Sequence, residues 1–146
     1  MDKPLKIISE IKTPRLTARA ATTAMTDGLF HAIDISRNRL REFLFWVDNV
    51  QKVEDERKTL SDFAEGWEKG EIFAYVLYNT DEKIVGTIDV HNISYGNHFA
   101  ELGYWLKDGE TGKGYISEIL PYVEKIFFAA GLHRCLLYTS PSPRDR

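Results

Sequence analysis

The chain has 146 residues, 43% hydrophobic and 28% charged, the proportions of one globular domain able to bury a core without disulfides or a structural metal. A net charge of −3 without any lysine-arginine run excludes nucleic acid as the main partner and offers no attraction to an anionic membrane. The single cysteine, Cys135, excludes an internal disulfide or a cysteine-based zinc site and reads as a small buried hydrophobe in a reducing compartment.

In chain order, "TPRLTARAAT" predicts a first strand, with Leu16, Ala18 and Ala20 on one side and Arg15, Thr17 and Arg19 on the other. From Ala24 to Lys69 the apolar spacing becomes helical. Met25 and Leu29, then Leu40, Phe43, Leu44 and Val47, then Leu60, Phe63, Ala64 and Trp67 predict three helices. Ser36 is expected to cap the second and Gly70 to end the third. "IFAYVLYN", "KIVGTIDVHNI" and "HFAELGYWL" follow with period two, the first pair joined by an "NTDE" turn, and predict an antiparallel meander. Ile116, Ile119, Leu120, Val123, Phe127 and Ala130 return to helical spacing, closed by Gly131, and "HRCLLYT" predicts another strand. Helices, then a meander, a helix and a strand make an α+β domain. No apolar run approaches transmembrane length, and "MDKPLKIISEIKTPRL" lacks the apolar core of a signal peptide, so a cytoplasmic location is expected.

Between the meander and its helix lies "KDGETGKG", with glycines at 109, 112 and 114. Such glycines let backbone N–H groups approach a phosphate at a helix N-terminus, and they also serve as an ordinary turn. Lys113 is followed by Gly114 where a nucleotide-triphosphate loop needs Ser or Thr, and the glycine order is not that of a dinucleotide fold.

"AELGYWLKDGETGKGYISEIL" resembles the acetyl-CoA signature of the GNAT superfamily of N-acetyltransferases, in particular the branch that acetylates ribosomal-protein N-termini (RimJ/RimL-like). "TPRL" before a strand and "LREFLFWVD" resemble the same branch, and the likeness runs from about Ile11 to Arg134. It implies a twisted, mostly antiparallel sheet flanked by helices on both faces. It also implies acetyl-CoA as co-substrate, no metal, and an amine acceptor. The amides of Gly112, Lys113, Gly114, Tyr115, Ile116 and Ser117 would hold the pyrophosphate, and the backbone of Trp105, Leu106 and Lys107 would pair with the pantetheine. Gly109 stands where the motif often carries Gln or Arg, and Pro121 falls inside the motif helix, where it removes a backbone hydrogen bond.

Acetylation requires a neutral amine, so an ammonium must first lose a proton. Glu101, on a strand face with Phe99, Gly103 and Trp105, is the expected base, acting directly or through water, and apolar neighbours would raise its pKa. Asp89 and His91 share a face of the neighbouring strand, where they could orient the amine or simply lie on a solvated surface. Phe45, Trp46 and Trp105 are candidates for the acceptor channel. His31, His98 and His133 show no metal-ligand spacing, and Ser117 has no His–Asp arrangement that would make it a nucleophile.

The expected domain covers 1–135, incomplete at its C-terminus, because "CLLYTSPSPRDR" stands where the family continues with further strands. Residues 136–146 read as a disordered or non-native tail resembling a translated sequencing adaptor. A sheet edge left bare there would favour a homodimer. The resulting expectation is transfer of an acetyl group to a protein N-terminal amine. Acetylation of a polyamine or aminoglycoside, or non-catalytic acyl-CoA binding, are the alternatives.

Overall fold

The structure, a computed structural model, describes residues 5–137. Side chains of the last four of these are not described, so the reading of Cys135 as a buried hydrophobe lies outside the described residues; of the expected tail at 136–146, Leu136 and Leu137 belong to the last strand and the rest lies outside the described residues. Six strands form one sheet in sequence order: β1 (Glu10–Lys12), β2 (Thr17–Ala20), β3 (Phe73–Tyr78), β4 (Ile84–Ser94), β5 (Phe99–Leu106) and β6 (Arg134–Leu137). The first five pair antiparallel, and β6 joins β5 in parallel from Phe99 opposite Arg134 to Leu102 opposite Leu137. A parallel neighbour requires a crossover, which α4 (Tyr115–Ala129) supplies.

The period-two pattern of β3 explains the layers. Phe73, Tyr75 and Leu77 face a core shared with Ile116, Ile119, Val123 and Phe127 of α4. Ala74 and Val76 face the other core, built with Leu29 and Ile33 of α1 (Thr26–Ile35), Leu40 of α2 (Arg37–Leu40) and Leu60 of α3 (Val53–Lys69). Each fully buried side chain of this size contributes about 1.5–3 kcal/mol, which fixes the helices on opposite faces. The expected α+β sandwich of helix, sheet and helix is therefore the observed one.

The meander follows the expected boundaries, and its first turn is closed by Asn79, whose side chain accepts hydrogen bonds from the Asp81 and Lys83 N–H groups. Gly70 ends α3 at φ 71°, as expected. Two expectations change. The second helix stops at Leu40, and the chain continues through a 3₁₀ turn at Phe45–Asn49 instead of one amphipathic helix through Val47. Ser36 makes no side-chain cap; its buried hydroxyl accepts a 2.7 Å hydrogen bond from the Asp108 N–H, tying the helical layer to the loop after β5. The short β1 was not expected from the sequence. Pro121 lies on the exposed side of α4, which runs through it.

Candidate active site

The loop from β5 to α4 turns on three glycines in the left-handed region, Gly109 at φ 89°, Gly112 at 76° and Gly114 at 78°. Side chains rarely adopt that conformation, so the glycines are what the path of the loop demands. Gly114 immediately precedes α4, and no side chain caps the helix. The first turn of a helix lacks intrahelical partners for about four N–H groups and carries a partial positive charge. The start of α4 therefore presents N–H donors to whatever approaches it.

Arg15 braces that loop, a role not recognised from the sequence. Its Nη1 donates to the Lys113 carbonyl at 2.8 Å, its guanidinium lies 4.8 Å from the Tyr115 ring centroid, and its Nε donates to Glu118 at 2.6 Å. Glu118 also accepts from the Arg15 N–H at 2.8 Å and the Thr13 hydroxyl at 2.5 Å. Burial pushes the Glu118 carboxyl upward, but these bonds and the Arg15 charge outweigh it and hold the group below its usual range. The signal was the "TPRL" stretch, but nothing in its local spacing pointed to a helix 103 residues further on.

Of the backbone assigned to pantetheine, two groups are already engaged. The Leu106 carbonyl accepts a hydrogen bond from Arg39, whose Nε also binds Asp108 at 2.7 Å, and the Lys107 N–H donates to the Val85 carbonyl at 2.9 Å. Trp105 is opposite Thr87 in the ladder, with its side chain 6% exposed. Lys113 reaches both oxygens of the buried Glu110 at 3.3 Å, within the loop itself.

β4 and β5 bring together Asp89, His91 and Glu101. His91 is opposite Glu101 and Asp89 opposite Gly103. The His91 Nδ1 is 2.5 Å from Asp89 Oδ1, and its Nε2 lies 3.5 Å from Glu101 Oε2. The hydrogen bond to Asp89 raises the His91 pKa above its ordinary value against the opposing effect of burial, with the charges of Asp89 and Glu101 adding to it. Glu101 also accepts from Asn92 Nδ2 at 2.6 Å. Its surroundings are thus polar, not the apolar set expected from strand alternation. Gly103 makes the arrangement fit: a Cβ there would stand 3.2 Å from His91 Cε1 and 3.4 Å from Asp89 Oδ2.

Asp89 and His91 do not lie on a solvated outer face. They line a cavity of about 720 Å³ between the sheet and the helices of the second core, together with Gly103 and Trp105. Phe45 and Trp46 line it too, so the three aromatic residues singled out in the sequence meet there, and the Trp46 and Trp105 ring centroids are 6.3 Å apart. His98 and His133, remote in sequence, stack at 4.7 Å away from this array. Among the described residues no group of three or more His, Cys, Asp or Glu side chains could hold a metal ion, and no helix is long and apolar enough to cross a membrane.

An antiparallel meander whose last strand runs through a glycine loop into an uncapped helix defines the GNAT class of acetyltransferase fold. The chain belongs to that family: the acetyltransferase (GNAT) domain matches residues 15–142. It is 33% identical over 92 residues to the ribosomal-protein-serine acetyltransferase of Escherichia coli K12, covering 63% of this chain and 51% of that protein. The chain spans about half the length of the curated relatives it matches. Among solved structures, RimL, a ribosomal L7/L12 α-N-protein acetyltransferase in complex with coenzyme A, superposes with a TM-score of 0.73 at 22% identity, over 81% of this chain and 70% of that one. The microcin C7 self-immunity acetyltransferase MccE, in complex with acetyl-CoA and AMP, gives 0.80 at 18% identity over 85% and 69%. These structural likenesses bear on the fold.

Proposed function

We propose that the protein transfers the acetyl group of acetyl-CoA directly to a primary amine in a ternary complex, the amine being the α-amino group of a protein N-terminus. The observation that carries the proposal is the run of β5, which bears Glu101 beside His91, passes Trp105 at the cavity wall, and continues into the glycine loop. Acceptor chemistry and the cofactor loop are thereby held on one rigid strand. The named activity of the Escherichia coli relative supports the choice of acceptor.

Acetyl-CoA fits the residues present. The left-handed glycines, the uncapped start of α4 and the Arg15 guanidinium offer N–H donors and positive charge suited to a pyrophosphate. The amides of Gly112, Lys113, Gly114, Tyr115, Ile116 and Ser117 would bind it, with backbone groups near Trp105, Leu106 and Lys107 beside the pantetheine. Acetyl-CoA supplies an acyl group activated as a thioester. Glu101 accepts the ammonium proton, directly or through water, and the Asp89–His91 pair orients it. The amine nitrogen then bonds to the acyl carbon as the carbon–sulfur bond breaks, and the departing thiolate takes up a proton. The described residues do not include an assigned donor for that last proton.

The aromatic lining of the cavity favours a second reading, a compact amine as the whole acceptor. Mass spectrometry of acetylated peptides and amines separates the two. Glu101→Gln tests the mechanism: coenzyme A binding measured by calorimetry is retained while transfer falls by roughly 100-fold or more. Unchanged transfer would remove Glu101 from the mechanism, and wild-type binding of coenzyme A without transfer would leave only an acyl-CoA-binding module.

A further inference from the structure

The cavity holds three carboxylates, and two already have occupations. Asp55 accepts the Gln51 and Lys52 N–H groups and so closes the start of α3. Asp89 is bound to His91. The third, Glu56, is 3% exposed, lines the cavity from the first turns of α3, and has neither a hydrogen bond nor an ion pair among the described residues. No lysine or arginine lines this cavity to neutralise it. A carboxylate removed from water and left alone is unfavourable, so it either takes up a proton or is completed by a cationic partner, and one that faces a cavity has room for the second.

Resting on the acetyltransferase reading above, we propose that Glu56 is a specificity-determining residue that receives the ammonium group of the acceptor, whose apolar body packs against Phe43, Trp46, Phe63 and Trp105. The charge of the wall selects a cation, and tryptophan faces add attraction for one. Its aromatic lining selects an apolar first side chain or hydrocarbon body over a polar one. Burial pushes the Glu56 carboxyl up to about 7, and an ammonium beside it would restore the charged form. Glu56 enters from α3 and His91 from β4, so a small amine in this space has a recognising carboxylate on the helical wall and His91, the partner of Glu101, on the sheet wall.

Trp46 and Trp105 line the cavity and Trp67, the third tryptophan, does not, so intrinsic fluorescence reports occupancy. The probes are 2-phenylethylamine and its neutral counterpart 2-phenylethanol, titrated at about pH 8, where the carboxylate is ionised. Wild-type protein should bind the amine at least tenfold more tightly than the alcohol. Glu56→Gln should abolish that preference while leaving affinity for the alcohol unchanged, which also shows that the variant is folded. Equal wild-type affinities overturn the proposal, as does a preference that survives in Glu56→Gln. The wild-type comparison decides by itself where the variant does not fold. Acetyl transfer to 2-phenylethylamine and to a peptide with a free N-terminus, followed by mass spectrometry, tests the reading beneath: preference without transfer to either supports Glu56 as a cation site and overturns the acetyltransferase reading, whereas transfer without preference overturns Glu56 alone.

Discussion

Arg15 and Glu118 form a brace across the glycine loop, with the Arg15 N–H and Nε on the two oxygens of one carboxylate at 2.8 and 2.6 Å. Nearly half of the Arg15 side chain is exposed, so the pair is screened on one side, while Glu118 is 14% exposed. Glu118→Gln should therefore cost about 1 kcal/mol of stability and weaken coenzyme A binding by roughly fivefold through a loosened loop. Because the Glu118 carboxyl is held below its usual value of 4.5, its contribution is full above that pH and disappears as pH falls through the lowered folded value. Urea midpoints of wild type and variant should differ at neutral pH and converge as pH falls below 4.5 through the lowered folded value. A constant difference across the whole range would dismiss the brace.

Glu56 has the opposite sign. Its carboxyl rises from 4.5 to about 7 on folding, so the folded state holds the proton more tightly than the unfolded chain. Its contribution to stability is greatest below pH 4.5 and declines as pH rises toward 7, by about 3 kcal/mol in total. His91, also raised, adds a decline of the same direction as pH rises through its folded value, and it does so in both proteins. The difference between wild type and Glu56→Gln thus isolates Glu56. Thermal unfolding should show the variant gaining stability relative to wild type from pH 5 to pH 8; a flat difference would mean the carboxylate is already satisfied.

Where the chain repeats with one period over eight or more residues, its structure was legible. β3, β4, β5 and α4 bury the faces that alternation and helical spacing predicted, because burying one side of a regular element is what those patterns encode. The second helix failed for a physical reason: Phe43 to Val50 bend around a cavity, so Phe43, Phe45 and Trp46 line its wall while Leu44, Val47 and Val50 pack into the core. Ser36 failed because a distant N–H, that of Asp108, competes for its hydroxyl. Glu101, Asp89 and His91 were legible as residues on neighbouring strands, but which face met solvent depended on the helices that cover it. Glu56 lies in "VEDERK" among three consecutive acids, and only tertiary packing separates the buried one from its neighbours.

Gly86 sets how closely β4 and β5 approach beside Trp105. A Cβ at that position would stand 2.2 Å from the Trp105 carbonyl oxygen and 2.9 Å from Leu106 Cα, both backbone atoms that cannot rotate away. Gly86→Ala should therefore destabilise the protein by about 2–3 kcal/mol through forced separation of the strands. Displacement at Trp105 and Leu106 should also weaken coenzyme A binding in whatever fraction remains folded. Chemical denaturation checks the first effect and calorimetry the second, and a variant as stable as wild type would show that the strands are further apart than described.

Asp89 raises the His91 pKa chiefly through the 2.5 Å hydrogen bond between them, assisted by the charge of Asp89 and of Glu101 and opposed by burial. Asp89→Asn removes the charge and leaves a neutral partner of the same shape, so burial then acts with less opposition and the His91 titration should move to lower pH. Proton NMR of the His91 ring follows it directly, with the assignment made by a His91→Gln control. In the proposed reaction the same change leaves the imidazole less firmly oriented toward Glu101. Acetyl transfer should drop by about tenfold in kcat. The KM for acetyl-CoA should not move, because the glycine loop and the Arg15 brace lie on other elements. A raised acetyl-CoA KM with unchanged kcat would place Asp89 in support of acetyl-CoA binding and not of the proton transfer, and an unmoved His91 titration would mean that the two side chains do not share the hydrogen bond.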